Sequence, residues 1–205
     1  MNMTVTQLRP RNQAVADRSK ADIAVDTSRQ VIDANTFKHA MRNLGAGVSI
    51  VTSGKGADRR GLTVTAACSL SAEPPSILVC VNRNAEAYAT ITESRSFAVN
   101  FLAFDQLDIA LRFAGHNGWR GESRFGLGTW TSLTTGSPIL VKSLCSVDCE
   151  LSSVTEHGTH SIITGLIVDT VRRVEGEPLL YFKGQFSRIM TLDLLEDFVE
   201  SGFEA

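Results

Sequence analysis

Residues 61–84 read GLTVTAACSLSAEPPSILVCVNRN, an apolar run loaded with small and hydroxylated residues and shut by two prolines. Gly61, Ala66 and Ala67 leave little side chain to hold a flat partner away from the backbone. On a period of two, Thr63, Thr65, Ser69 and Ser71 fall on one side, where their hydroxyls could meet a phosphate. The same pattern suits a buried strand pair joined at Glu73-Pro74-Pro75, and the run alone leaves both readings open.

The flanking chain is β-rich. Residues 48–52, 76–81, 96–102, 144–154, 160–174 and 179–186 read as strands, and residues 53–58 as a glycine-bearing turn. Helices are expected over 34–43, opened by Asp33 and ended near Gly45 and Gly47, over 84–93, with Tyr88 and Ile91 on one face, and after Asp105 as its cap, with Leu107, Ala110 and Leu111 as the apolar stripe. Residues 116–140 are glycine-rich and carry both tryptophans, so they read as a long irregular excursion that covers a site or a subunit contact. Trp119 and Trp130 are expected there as packing or lid residues. Many short strands with few helices point to a closed or nearly closed antiparallel barrel.

Charge excludes some partners. The 205 residues carry 20 basic and 22 acidic side chains, a net of −2, which is no footprint for nucleic acid. No apolar stretch approaches the roughly 20 residues of a membrane span. The start of the chain lacks a hydrophobic leader core, so a cytoplasmic address is expected. Residues 1–31 are polar without sustained periodicity and read as a disordered tail, residues 32–190 as one domain, and residues 191–205 as a C-terminal helix or tail.

The cysteines Cys68, Cys80, Cys145 and Cys149 form no CxxC pair and read as small buried hydrophobes. Cys145, Val147, Cys149 and Leu151 share one face of an alternating strand, with Ser146, Asp148, Glu150 and Ser152 on the other. Four strand residues span about 13 Å, too far for Cys145 to bridge Cys149. His39, His116 and His157 are not spaced as ligands, so no metal site is expected. No GxGxxG motif occurs, and Gly54-Lys55-Gly56 lacks the Ser or Thr that would complete a phosphate-binding P-loop.

The order of segments carries more than any one of them. After the 61–84 run come Ser96-Phe97-Ala98-Val99-Asn100-Phe101-Leu102, then Arg112-Phe113-Ala114-Gly115, then Gly158-Thr159-His160, then Pro178-Leu179-Leu180-Tyr181-Phe182-Lys183. Over residues 37–189 this series resembles the short-chain flavin reductases of two-component flavin-dependent monooxygenases, most closely the reductase component of 4-hydroxyphenylacetate 3-monooxygenase. The resemblance implies a mainly β, antiparallel Greek-key split barrel of the flavin mononucleotide-binding type, with a few peripheral helices and a homodimeric assembly. It implies FAD or FMN as flavin, NADH or NADPH as hydride donor, and a separate monooxygenase that receives reduced flavin. Alternatives are a reductase of another acceptor, such as a corrinoid, and a non-catalytic flavin-binding electron carrier.

Carried over position by position, the resemblance puts Val64, Thr65, Ala66, Ala67 and Cys68 along the flavin ring and phosphate, with Ser71 nearby. Asn82, Arg83, Asn84, Ala85, Glu86 and Ala87 fall beside the phosphate or the adenosine half, and the stretch from Phe113 to His116 closes the other side. Ala85 stands where the family often has a serine, so one phosphate hydroxyl is missing, and flavin affinity is expected to be modest. Gly158-Thr159-His160 replaces the commoner Gly-Asp-His. His160 is expected to serve the nicotinamide nucleotide, by hydrogen bonding to its carboxamide or pyrophosphate; a histidine opening a strand is otherwise a structural hydrogen-bonder. Arg83 and Lys183 are candidate contacts that also fit solvated surface charges.

Overall fold

Strands β1 (Ala46–Gly47), β2 (Ser49–Ser53), β3 (Arg60–Val64), β4 (Ala67–Ala72), β5 (Pro75–Asn82) and β6 (Ser96–Phe101) come first along the chain. They are followed by β7 (Trp130–Ser132), β8 (Pro138–Leu140), β9 (Cys145–His157), β10 (His160–Arg172), β11 (Leu180–Phe182) and β12 (Gln185–Ser187). Three α-helices, α1 (Ala34–Met41), α2 (Glu86–Ser94) and α3 (Leu107–Phe113), complete the set. This computed structural model describes residues 30–189, so most of the expected N-terminal tail and all of 191–205 lie outside the described residues. The chain divides into two units, Met1–Phe37 and Lys38–Ala205. In the first, the Asp33 carboxylate accepts hydrogen bonds from the Asn35 and Thr36 amides at 2.8 and 3.1 Å, the cap expected from the sequence.

The second unit is built on a seven-stranded antiparallel sheet, ordered β3-β2-β6-β9-β10-β5-β4. Only Thr65 and Ala66 separate β3 from β4 in sequence, yet these strands form opposite edges. The sheet therefore curls until its edges come together at 65–66, and the Cys80 amide of β5 donates to the Ala66 carbonyl at 2.9 Å, carrying the β4-β5 ladder up to that crossing. This is the expected mainly β barrel. A three-stranded sheet, β1-β11-β12, and the β7-β8 pair are additional.

Curling gives the sheet two buried sides. Val51, Val79, Val81, Phe97, Val99 and Ile163 belong to one cluster, and Val48, Ile50, Leu102, Ala110, Phe113 and Leu179 to the other. All five residues of β2 are buried, since Ile50 and Val51 point into different clusters. Inside the barrel, Phe97 lies against Gly165: a Cβ there would come within 2.6 Å of the Phe97 ring. The β9-β10 register shifts at the same place, between Thr164 and Gly165.

Four local expectations are corrected. Thr63, Thr65, Ser69 and Ser71 do not form one line of hydroxyls, because the chain crosses between sheet edges at 65–66 and the β4-β5 register shifts between Ser69 and Ser71. Asp105 does not cap α3; it pairs with Arg173 at 3.5 Å, while the Gln106 side chain accepts the Ala103 amide at 3.0 Å. The polar face of β9 is not uniform, since Ser146 and Asp148 are fully buried while Glu150 and Ser152 are exposed. Cys68 is exposed and only Cys149 is fully buried; burial, then the Asp148 charge, pushes the Cys149 thiol up to about 12.

Asn100 makes this burial tolerable. Its Oδ1 accepts from the Leu140 amide and the Ser146 hydroxyl, both at 2.8 Å, and its Nδ2 donates to the Ile50 carbonyl and Thr52 Oγ1 at 3.1 and 3.2 Å. One amide thus satisfies groups on β2, β8 and β9 in a site closed to water. Asn100→Ala is expected to cost about 3 kcal/mol in urea unfolding, because the buried Leu140 N–H loses its acceptor and a void opens; a change below about 1 kcal/mol would show that the network is dispensable.

Candidate active site

Gly61 sets the shape of the site. A Cβ at this position would lie 2.7 Å from Phe113 Cε1 and 3.0 Å from the Val51 carbonyl oxygen, so only glycine lets the Phe113 ring rest on β3. Phe113 also packs against Phe125 and Trp130, with ring centroids 4.9 and 5.3 Å away. Thr63 Oγ1 donates to the Ala110 carbonyl at 2.6 Å, and Arg124 Nη1 donates to the Gly61 carbonyl at 2.6 Å. Edge strand, helix end and excursion are thereby locked together.

Two cavities open along this seam and share Thr63 and Ala114. The first, about 250 Å³, has apolar walls of Val48, Val64, Leu111, Tyr181 and Phe186, with Thr65 and His116 at its margin. The second, about 460 Å³, is lined by Leu62, Phe113 and Trp119, by the backbone of Gly115 and Gly118, and by Asn84, Ala85, Glu86, Arg120 and Arg124. A third, about 350 Å³, lies between Arg83, Asn84, Tyr88, Gly158 and Thr159, and so shares Asn84 with the second.

The candidates named from sequence divide accordingly. Val64, Thr65 and His116 gather at the first cavity, and Asn84, Ala85 and Phe113 at the second. Arg83 lines the third, but also pairs with Glu156 at 3.1 Å. Asn82 shapes the wall indirectly, its Oδ1 accepting the Asn84 amide at 2.9 Å. Ala66 lies at the edge crossing, while Ala67 and Cys68 open β4. Ser71 is remote from these walls and bonds to the Glu73 backbone. Ala87 is buried beneath α2. Lys183 occupies the tip of the β11-β12 hairpin at a positive φ of 50°. His160 opens β10 beside the third cavity; it is exposed and its Nδ1 lies 2.9 Å from Thr159 Oγ1.

Sequence reasoning missed Leu111, Phe186, Arg120 and Arg124 as wall residues. The charged stretch 120–124 is plain in the sequence, but no local period says that it folds back onto Gly61.

Residues 41–190 match the family described as flavin reductase like domain. The chain belongs to this family. An FMN reductase (NADH) RutF of Agrobacterium fabrum is 38% identical over 150 residues, 73% of this chain and 85% of the relative, and one of Enterobacter cloacae is 37% identical over 158 residues, 77% and 95%. Among solved structures, BorF, the flavin reductase component of a bacterial two-component tryptophan halogenase, superposes with a TM-score of 0.71 at 31% identity, covering 77% of this chain and 98% of its own. A Streptomyces globisporus NADH:FAD oxidoreductase, solved with NAD and FAD fragments, has a TM-score of 0.71 at 26% identity, covering 80% and 98%.

The chain is thus a flavin oxidoreductase, and the seam suits the group this family handles. A planar, largely apolar ring fits walls of Val48, Val64, Tyr181 and Phe186, and a charged tail fits the adjoining cavity with its two guanidinium groups. Among the described residues, no cluster of three or more His, Cys, Asp or Glu could hold a metal. Gly61→Ala tests the packing: it is expected to cost about 2 kcal/mol in urea unfolding by overpacking against Phe113, and to weaken FMN binding, read by flavin fluorescence. Unchanged stability together with unchanged affinity would show that the Gly61–Phe113 contact does not fix the cavities.

Proposed function

We propose that this flavin reductase uses NADH to reduce free FMN or FAD and releases the product to a separate flavin-dependent monooxygenase. The observation that carries this reading is the open seam itself, an apolar slot continuous with a charged one through Thr63 and Ala114. Both cavities face solvent, as a flavin that comes and goes requires. Ala85 supplies no side-chain hydroxyl at the start of α2, which lowers affinity in the same direction. The two-component halogenase reductase among the structural relatives supports a partner that uses reduced flavin.

When bound, the flavin supplies the hydride-accepting centre and the nicotinamide supplies the hydride. The chain's own contribution is orientation and exclusion of water. Val48, Val64, Leu111, Tyr181 and Phe186 hold an apolar ring. The Thr63 hydroxyl is committed to the Ala110 carbonyl, so it acts as wall rather than as donor. His160 follows Thr159, a residue of the third cavity, with its Nδ1 2.9 Å from Thr159 Oγ1, and would hydrogen-bond the carboxamide or pyrophosphate of the nicotinamide nucleotide. Two copies of the chain would pair through exposed apolar residues of the sheet, including Leu70 on β4 and Ile162 on β10. Four free cysteines accord with a cytoplasmic address.

Oxidation of NADH and NADPH by flavin-stripped protein, with FMN, FAD or riboflavin added in turn, tests the reading. The rate is expected to rise and saturate with added flavin; no oxidation despite measurable flavin binding would overturn it. In the same assay His160→Ala is expected to raise KM for NADH about tenfold, the worth of one hydrogen bond to a charged or strongly polar group, with flavin affinity little changed. An unchanged KM would remove His160 from the site.

A further inference from the structure

A fourth cavity, about 560 Å³, shares no wall residue with the flavin seam. Its apolar walls are Ile139, Leu140, Val141 and Val171; the first two are buried, while Val141 and Val171 leave 38% and 44% of their surfaces exposed. Lys142, Arg172 and Arg173 stand around them against a single acid, Asp105, which Arg173 already holds at 3.5 Å. Among the described residues, neither Lys142 nor Arg172 has a carboxylate within 4.0 Å. An exposed apolar surface beneath two uncompensated cations suits a cover that brings apolar side chains and negative charge together.

The chain carries such a segment and delivers it to this place. Arg188 lies 5.6 Å from the Phe104 ring centroid and 4.0 Å from Glu177, and the Phe104 amide donates to the Glu177 carbonyl at 2.8 Å. The residue after Phe104 is Asp105, a wall of the cavity. Phe104 and Ile189 are both exposed, so apolar surface runs from the cavity to the point where residues 190–205 begin. Those residues hold Asp193, Glu196, Asp197, Glu200 and Glu204 and no lysine or arginine. On a period of 3.6 residues, Leu192, Leu195, Phe198 and Val199 gather on one side and the five acids on the other. Four residues extend the reach of a chain by about 13 Å, so Leu192 is not tied to the position of Arg188. The family match ends at residue 190, which leaves this segment outside the shared domain.

We propose that residues 190–205 cover this cavity in their own chain, with apolar side chains against Val141 and Val171 and carboxylates on Lys142 and Arg172. Such a strap is separate from the flavin seam, and its test reads contact rather than activity.

A carbodiimide joins a carboxylate to an amine with no spacer, so only groups in contact react. It is applied to isotope-labelled and unlabelled protein refolded together in equal amounts, and peptides joined through Lys142 are identified by mass spectrometry. The expected product links Lys142 to a carboxylate of residues 193–204, with both peptides always carrying the same label. Mixed labels would give the cavity to the segment of a second copy, and no link from Lys142 to these residues would leave it to another occupant; either overturns the proposal. Chymotrypsin, which cuts after the leucines and phenylalanines of the segment, supplies a second reading. The double variant Lys142→Glu with Arg172→Glu is expected to be cut within residues 190–205 about tenfold faster than wild type, since cleavage follows the population of the released form. Unchanged cleavage overturns the proposal. Should that variant fail to melt cooperatively, Phe198→Asp, which alters no described residue, carries the protease test: about tenfold faster cutting at the remaining sites supports the strap, and an unchanged rate overturns it.

Discussion

The seat of Phe113 on the bare backbone of Gly61 is the constraint from which the site follows. Without a Cβ on β3, the ring rests where a side chain would otherwise stand, and α3 ends against the edge of the barrel. The aromatic cluster of Phe113, Phe125 and Trp130 then gives the irregular excursion a core of its own, which Arg59 covers 4.5 Å from the Phe125 centroid. Arg124 closes the arrangement by returning to the Gly61 carbonyl. A segment that looks like a loop in sequence is thus tied to the edge strand by packing and hydrogen bonding together, and the cavities are the spaces left between them.

Topology explains why the space lies there. Because β3 and β4 are neighbours in sequence and opposite edges in the sheet, the barrel closes where few ladder hydrogen bonds are available, at residues 65–66. An edge of this kind leaves backbone groups to be used by something other than a strand. The interior supplies the rigidity that an open seam lacks: Phe97 fills the barrel against Gly165, and the Asn100 network joins three strands beneath the wall.

Much of this was legible in the sequence, for identifiable reasons. Alternating β-branched residues gave the strands, Asp33 announced its helix, and the glycine-rich stretch 116–140 proved the irregular cover over the second cavity that its composition suggested. Val64, Thr65, His116, Asn84, Ala85 and Phe113, which the family resemblance rather than any local pattern pointed to, reach the cavity walls. What stayed hidden depends on contacts far apart in the chain. The line of hydroxyls from Thr63 to Ser71 fails because a strand pattern carries no information about an edge crossing or a register shift. The alternation of β9 separates a polar face from an apolar one but does not say that Asp148 and Ser146 are buried, where Thr135 and Asn100 satisfy them. Arg124 lies 63 residues from Gly61 in sequence, and no short-range rule joins them.

The central claim is that the two cavities meeting at Thr63 and Ala114 are one site for one molecule, and a crystal structure of the protein grown with FMN tests it most directly. The account predicts the flavin ring against Val64 and Tyr181, with its phosphate within hydrogen-bonding distance of the Arg124 guanidinium. A well-ordered flavin bound elsewhere, or one whose phosphate points away from the second cavity, would contradict it.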